Sequence, residues 1–277
     1  MALARAGHTV YATMRKPSPV HELASTAAAE GLDIRLVAMD VNNDASVELA
    51  MNKILSECPT VDILINNAGV GSVGSVEELP MEEFRNVMET NYFGVLRCTK
   101  AILPGMRERR SGCIVNVSSI AGRVASAPQA AYAASKFALE AISEVLAEEL
   151  KAFNIRVAIV EPGVIKTPIY DKAREIPTNT LYPHERRLHA MNAASMANPV
   201  LPEVVAKKIM GIVDGDTWQL RHPVGPDAKP MIAWRKMLSD EEWIDRFADP
   251  DDNAWLAMVK RDFGVDLSPF LPPASRS

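Results

Sequence analysis

Three side chains near the middle of the chain, Ser119, Tyr132 and Lys136, have the types and spacing for proton-transfer chemistry. Tyr132 and Lys136 are four residues apart, so on a helix they share one face. An ammonium beside a phenol stabilises the phenolate and lowers a pKa that is about 10 when unperturbed. A phenol tuned in this way can exchange a proton with an alcohol or a carbonyl near neutral pH. Ser119 stands at the end of an apolar run, and its hydroxyl could hydrogen-bond the same oxygen. Taken alone, the pair also fits a half-buried tyrosine beside a surface lysine, so the surrounding elements must decide.

Those elements read as alternating strands and helices. The run Ile114–Val117 predicts a strand ending at Ser118 and Ser119; a loop of small residues follows, and a long helical pattern begins near Tyr132 and reaches Leu150. Upstream, 61–68 (VDILINNA) is almost continuously apolar, as a strand buried on both faces should be, and leads into Asn66-Asn67-Ala68-Gly69. Gly69 would let backbone approach a ligand with no Cβ in the way. Residues 81–109 carry Phe84, Val87, Met88, Val95, Leu96 and Ile102 at helical spacing, with Asn91 in their midst. A buried strand at 155–161 closes in Glu161-Pro162-Gly163-Val164-Ile165-Lys166-Thr167, a turn sequence.

Nearer the start, 9–14 (TVYATM) reads as a strand followed by Arg15 and Lys16, 19–30 as an Ala-rich helix, and 34–41 as a strand ending at Asp40-Val41. Asp44 is the expected cap of a helix over 46–57, which would leave Asp40 free. A helix over 202–213 and a strand over 218–224 complete the alternation, which implies an α/β fold with a parallel sheet.

This set of motifs resembles the short-chain dehydrogenase/reductases of classical type. Their signature is a Ser, twelve residues, then Tyr-x-x-x-Lys, matched by Ser119, Tyr132 and Lys136. The 9–15 stretch (TVYATMR) is similar to the 17β-hydroxysteroid and retinol dehydrogenases. The resemblance, spanning about residues 1–225, implies a Rossmann-type doubly wound parallel sheet with helices on both faces. It implies an NAD(P)-dependent oxidoreductase that interconverts an alcohol and a ketone or aldehyde. Tyr132 would be the general acid or base. Lys136 would lower its pKa and bind the nicotinamide ribose. Ser119 would polarise the carbonyl, and Asn91 would kink the long helix and hold a water of the proton relay.

The same resemblance assigns cofactor contacts to Asp40 and Val41 at the adenine, to Asn67, Ala68 and Gly69 at the adenosine ribose, and to Pro162, Gly163, Val164 and Thr167 at the nicotinamide. In that last turn the Val164 backbone would meet the carboxamide. Arg15, with no acid at Thr13 or Met14, favours the 2′-phosphate of NADP over NAD.

The resemblance also marks a departure. Met1–Gly7 reads as the end of a helix terminated by Gly7, so the family's first strand and its Thr-Gly-x-x-x-Gly-x-Gly turn have no counterpart. In sheet order 3-2-1-4-5-6 that strand is central, and its loss would leave two inner edges unpaired. The expectation is a late start that omits roughly 20 residues, the length of a strand-turn-helix lead-in. The alternative from another class is a non-catalytic, cofactor-sensing or scaffold protein that has lost its phosphate loop; an isomerase or dehydratase on the same fold is a third.

Length and composition agree with one domain. The 277 residues, 48% hydrophobic and with net charge −5, give no electrostatic reason for a nucleic-acid or membrane partner. Cys58, Cys98 and Cys113 lack metal-ligand spacing and imply a reducing, cytoplasmic setting. Residues 1–225 are the expected catalytic unit, and 226–277 a helical extension of the same domain carrying Trp234, Trp243 and Trp255. The 168–200 stretch, irregular and rich in Pro, Tyr and Met (Tyr170, Pro177, Tyr182, Pro183), is the expected lid over a lipophilic or ring-containing substrate. His184 and His189 read as a solvated pair, and Asp249, Asp251 and Asp252 as a solvated turn; no metal is expected. By analogy with the family, the helices over 82–109 and 132–152 would serve as faces of a homodimer or homotetramer.

Overall fold

Helices between successive strands return the chain, so that paired strands run parallel. The structure, a computed structural model, describes residues 1–18, 22–169 and 180–273. Helix α1 (Ala2–Arg5) ends at Gly7, whose φ of +92° suits a helix terminator. Strand β1 (Val10–Met14), helix α2 (Glu22–Glu30), strand β2 (Ile34–Ala38), helix α3 (Asp44–Glu57) and strand β3 (Ile63–Asn66) follow. Then come α4 (Met81–Met88), a π-helical turn (Glu89–Phe93), α5 (Gly94–Arg109), β4 (Gly112–Val117), α6 (Ala130–Lys151) and β5 (Ile155–Pro162). The chain ends with α7 (His184–Ala197), α8 (Pro202–Val213), β6 (Arg221–Val224), α9 (Ala228–Met237), α10 (Asp240–Ala248) and α11 (Asp252–Phe263).

The strands form two parallel sheets, β1-β2 and β3-β4-β5-β6. Among the described residues β1 pairs with β2 alone and β3 with β4 alone, so both have an open edge, as expected without the central strand. One core joins the two: Val37 of β2 and Met39 just after it pack with Ile54, Cys98, Ile102, Met106, Ile114, Leu150 and Val157. On the opposite face Cys113, Val115, Ala158 and Val160 pack under Ile209 and Ile212 of α8. Strands covered on both faces need near-continuous apolar sequence, which is why β4 and β5 were legible.

Several boundaries differ from expectation. Asn43, not Asp44, caps α3: its extended backbone (φ −130°) aims its side chain at the Ser46 N–H, 2.8 Å away. The helix starts two residues early, so Asp44 falls in the first turn and pairs with Arg97. The start of the 19–30 helix, residues 19–21, lies outside the described residues. The last strand begins at Arg221 instead of Trp218.

The 168–200 stretch is the larger correction, because α7 occupies half of it. Its pattern hides the helix because the buried face carries charge: Glu185 and Arg187 are 1% and 3% exposed, and Arg186 and Arg187 both pair with Asp252. Asp252 is therefore engaged, not part of a solvated turn. Tyr170 and Pro177 lie outside the described residues.

The C-terminal extension packs on the loop between Ser119 and Tyr132. Met231, Trp234 and Leu238 pack against a cluster of Val124, Ile232 and Trp243. The Trp243 Nε1–H donates to the Ala125 carbonyl at 3.1 Å. Trp234 adds edge-on contacts to Trp243 and Phe263, at 5.3 and 4.7 Å between centroids.

Candidate active site

Ser119, Tyr132 and Lys136 converge at the carboxyl end of β4. Ser119 ends the strand in extended geometry and its Oγ accepts the Ala121 N–H at 3.2 Å, starting a short 3-10 turn over Ile120–Gly122. The Ser119 hydroxyl lies close enough to the Tyr132 phenol to favour its ionised form. The Ser119 hydroxyl also reaches the Pro162 carbonyl, at 3.4 Å. Lys136, 5% exposed, places Nζ 5.7 Å from the Tyr132 ring centroid and donates to the Val117 carbonyl at 2.9 Å.

The electrostatics here differ from the sequence reading. Burial pushes the Tyr132 phenol above its ordinary value, and the neighbouring Ser119 hydroxyl only partly opposes this. Burial also lowers the lysine, to about 8, with Glu140 pulling the other way.

Asn91 is fully buried in the π-helical turn, where the Gly94 N–H bonds back five residues to Glu89. Its Oδ1 accepts the Val70 N–H at 2.8 Å, while Nδ2 donates to the Val70 carbonyl at 2.9 Å and to Ser135 Oγ at 3.0 Å. The side chain thus clamps the segment after β3, and the helix distortion expected at Asn91 is present as a π turn. Gly69 faces both groups: a Cβ there would lie 3.3 Å from Asn91 Oδ1 and 3.8 Å from Lys136 Nζ. Asn67, Ala68 and Gly69 are exposed while Asn66 is buried, so the segment forms an open lip over the strand ends.

Under the lip runs a buried polar ladder that sequence reading missed. Asn66 Nδ2 donates to Asn116 Oδ1 at 2.8 Å, Asn116 Nδ2 to Ser143 Oγ at 2.8 Å, and Ser143 to the Leu139 carbonyl at 2.6 Å. It locks β3, β4 and α6 in register. The available signal was Asn116, a polar residue in the middle of an apolar strand.

The remaining cofactor candidates lie at other strand ends. Asp40 is not free: its Oδ1 accepts the Asn42 N–H at 3.0 Å. Val41 is held by Arg97, which donates to its carbonyl at 3.2 Å, and packs against Gly94. Arg15 is exposed just past β1. At β5, Pro162 and Gly163 continue the pairing to β6, while Thr167 is half-buried beyond them. In the backbone expected to meet a carboxamide, the Val164 N–H donates to Asp227 Oδ2 at 2.8 Å.

Two chain segments frame the cleft after β3. Ile169 packs on Gly71, and Thr180 Oγ1 and the Leu181 N–H bond Glu78 at 2.8 and 3.0 Å. Tyr182 donates to Glu77. His184 is not solvated; its Nε2 lies 3.0 Å from the Phe247 carbonyl, whereas His189 is exposed. No group of three metal-ligating side chains occurs among the described residues.

With this geometry in place, the match to known proteins is decisive. A family model described as short chain dehydrogenase matches residues 1–177. The chain belongs to that family. Retinol dehydrogenase 8 of Bos taurus is 37% identical over 245 residues, covering 84% of this chain and 78% of the relative. A 3-ketodihydrosphingosine reductase of Bacteroides thetaiotaomicron is 44% identical over 170 residues; the match takes in 61% of this chain and 59% of that protein's length. A crystal structure of a short-chain dehydrogenase from Streptomyces avermitilis superposes with a TM-score of 0.77 at 34% identity, covering 90% of this chain and 92% of that one. The chain is a short-chain dehydrogenase, an oxidoreductase on a Rossmann-like fold.

Other groups at the short-chain dehydrogenase site were not singled out in the sequence. Glu140 lies one turn beyond Lys136 in α6 and is 4% exposed, and Glu161 at the end of β5 is 1% exposed. Arg221 Nε bridges them at 2.9 and 3.6 Å, and Arg123 reaches Glu161 at 3.0 Å. Burial raises the Glu140 carboxyl, and the neighbouring Glu161 adds to the rise. An acidic residue on the lysine's own helical face was the signal.

Proposed function

We propose that the chain interconverts an alcohol and a ketone or aldehyde by hydride transfer with NADP, on a lipophilic or ring-containing substrate. The observation that carries this is the convergence of Ser119 and Tyr132 beside the buried Lys136, whose Nζ lies 5.7 Å from the Tyr132 ring centroid. Bound nicotinamide supplies or accepts the hydride. The open lip at Asn67–Gly69, whose Gly69 leaves room beside Asn91 and Lys136, suits a flat sugar or ring laid across the strand ends. Ser119 orients the substrate oxygen, and Tyr132 gives or takes its proton. Lys136 holds its ammonium between Val117 and the phenol ring, where it favours the phenolate as that charge develops. Asn91 acts by fixing Val70, and through it the lip.

Arg15 supports NADP, since a guanidinium at the end of the strand suits a 2′-phosphate. The two relatives' names, retinol and 3-ketodihydrosphingosine, support a lipophilic substrate. Phe137 and Val145, 43% and 46% exposed on α6, support a homodimer or homotetramer through that helix. The free thiols of Cys58, Cys98 and Cys113 support the cytoplasm; no helix among the described residues is long and apolar enough to cross a membrane. Residues 226–277 complete the domain formed by 1–225, since their helices cover the Ser119–Tyr132 loop.

The test is calorimetric titration with NADPH and NADH, followed by turnover on a panel of retinoid, long-chain and cyclic carbonyls. NADPH binding with turnover is expected. Tyr132→Phe should cut turnover by about 10²–10⁴-fold and leave cofactor affinity near wild type; unchanged turnover would remove Tyr132 from the chemistry. Arg15→Ala should weaken NADPH binding without weakening NADH, and equal losses would overturn the NADP assignment.

A further inference from the structure

The carboxylate of Asp227 sits on the turn that ends β5. Asp227 occupies the position before the first residue of α9, where an aspartate ordinarily accepts an N–H of its own helix. It makes no such cap. Its Oδ2 instead accepts the Val164 N–H at 2.8 Å, across 63 residues of chain, and its Oδ1 is buried with no partner. Two glycines make room for it. A Cβ on Gly163 would lie 2.0 Å from Asp227 Oδ1, and one on Gly225 would lie 2.9 Å from the same oxygen. Gly225 also has a φ of +102°, in the region glycine favours. The carboxylate therefore fills the space of two side chains.

The sheet explains the need. The β5-β6 pairing runs to Pro162 and Val224, and the Gly163 N–H makes the last ladder bond, to the Val224 carbonyl at 2.9 Å. Beyond it the Val164 N–H has no strand partner, and the charged acceptor of Asp227 takes that place. Because a peptide is planar, holding this N–H fixes the Gly163–Val164 plane and the carbonyl on its other side.

We infer that Asp227 is a positioning residue for the cofactor turn: it forgoes capping α9 in order to set the Gly163–Val164 peptide, and so ties the C-terminal extension to the nicotinamide end of the site. The inference rests on the chain's being a nicotinamide-dependent oxidoreductase.

The experiment compares wild type, Asp227→Ala and Asp227→Asn for NADPH affinity by fluorescence titration, for KM and kcat, and for melting temperature. Asp227→Ala should weaken NADPH binding about tenfold, as loss of one charge-assisted hydrogen bond predicts, with kcat at saturating cofactor within about threefold. Asparagine keeps an acceptor for Val164 and should restore most of the affinity. Melting of Gly163→Ala in the wild-type and Asp227→Ala backgrounds tests the contact without cofactor: the loss should be large in the first and much smaller in the second. Wild-type affinity in Asp227→Ala, or additive melting losses, would overturn the inference. A wild-type chain that binds neither nicotinamide cofactor overturns the proposed function instead, with the melting cycle still reporting on the contact.

Discussion

The Lys136 ammonium lies over the Tyr132 ring, 5.7 Å from its centroid, while its proton donation goes to the Val117 carbonyl, 2.9 Å away. The lysine is thus anchored to the end of β4 and poised beside the phenol, not bonded to it. Desolvation lowers it to about 8, so the folded protein bears the cost of a buried ammonium at neutral pH.

That cost has a definite pH dependence. With the folded value near 8 and the ordinary value 10.5, the unfolded chain binds more protons than the folded one between those limits, so stability rises with pH across that window. Below pH 8 the penalty is constant. Lys136→Met should be inactive yet at least as stable as wild type at pH 7. Urea unfolding of both proteins should show wild type gaining on the variant from pH 8 to 10.5. A difference that stays flat would contradict a depressed lysine.

Asn91→Ala removes one partner each from the Val70 N–H, the Val70 carbonyl and Ser135, beside a side chain that is itself fully buried. A loss of about 2–4 kcal/mol is expected. Denaturant midpoints measure it. Cofactor affinity should fall as well, because the lip at Gly69 follows Val70.

Ser143→Ala probes the buried ladder. It strands Asn116 Nδ2, which is inaccessible to water. Destabilisation of about 1–3 kcal/mol should follow with little change in KM, since the ladder sets strand register away from the lip. A neutral result in thermal unfolding would show that Asn116 finds another partner.

Gly94→Ala sets two effects against each other. Alanine is the better helix former by about 1 kcal/mol. Its Cβ would, however, lie 2.9 Å from Val41 Cγ2 and 3.3 Å from the Val41 carbonyl, and Arg97 holds that carbonyl in place. Overpacking should win by about 1–3 kcal/mol, and Val41→Ala in the same background should recover part of the loss. A rise in melting temperature for Gly94→Ala alone would show that Val41 can move aside.

What could be read in advance was local. Tyr132 and Lys136 share a helix face because of the 3.6-residue period, and β3, β4 and β5 announce themselves as apolar runs because both faces are covered. Asn91 drew attention as a polar residue among apolar helical positions, and Gly7 as a helix end. Helix α7 escaped because its inward face is charged and its partner, Asp252, is 65 residues from Arg187. The Asn43 cap was misassigned to Asp44 because either residue type suits either position, and only the backbone angle separates them.

The sequence by itself determined the class of chemistry, the alternation of strands and helices, and the residues at the carboxyl ends of the strands. Each of these is written in neighbouring residues, where side-chain period and motif spacing act directly. The tertiary structure alone decided that Asn91 holds Val70, that Asn116 joins Asn66 to Ser143, that burial lowers Lys136 and raises Tyr132, and that Asp227 occupies the Val164 N–H. Desolvation and hydrogen-bond pairing depend on which groups meet across the fold, and those meetings have no period along the chain.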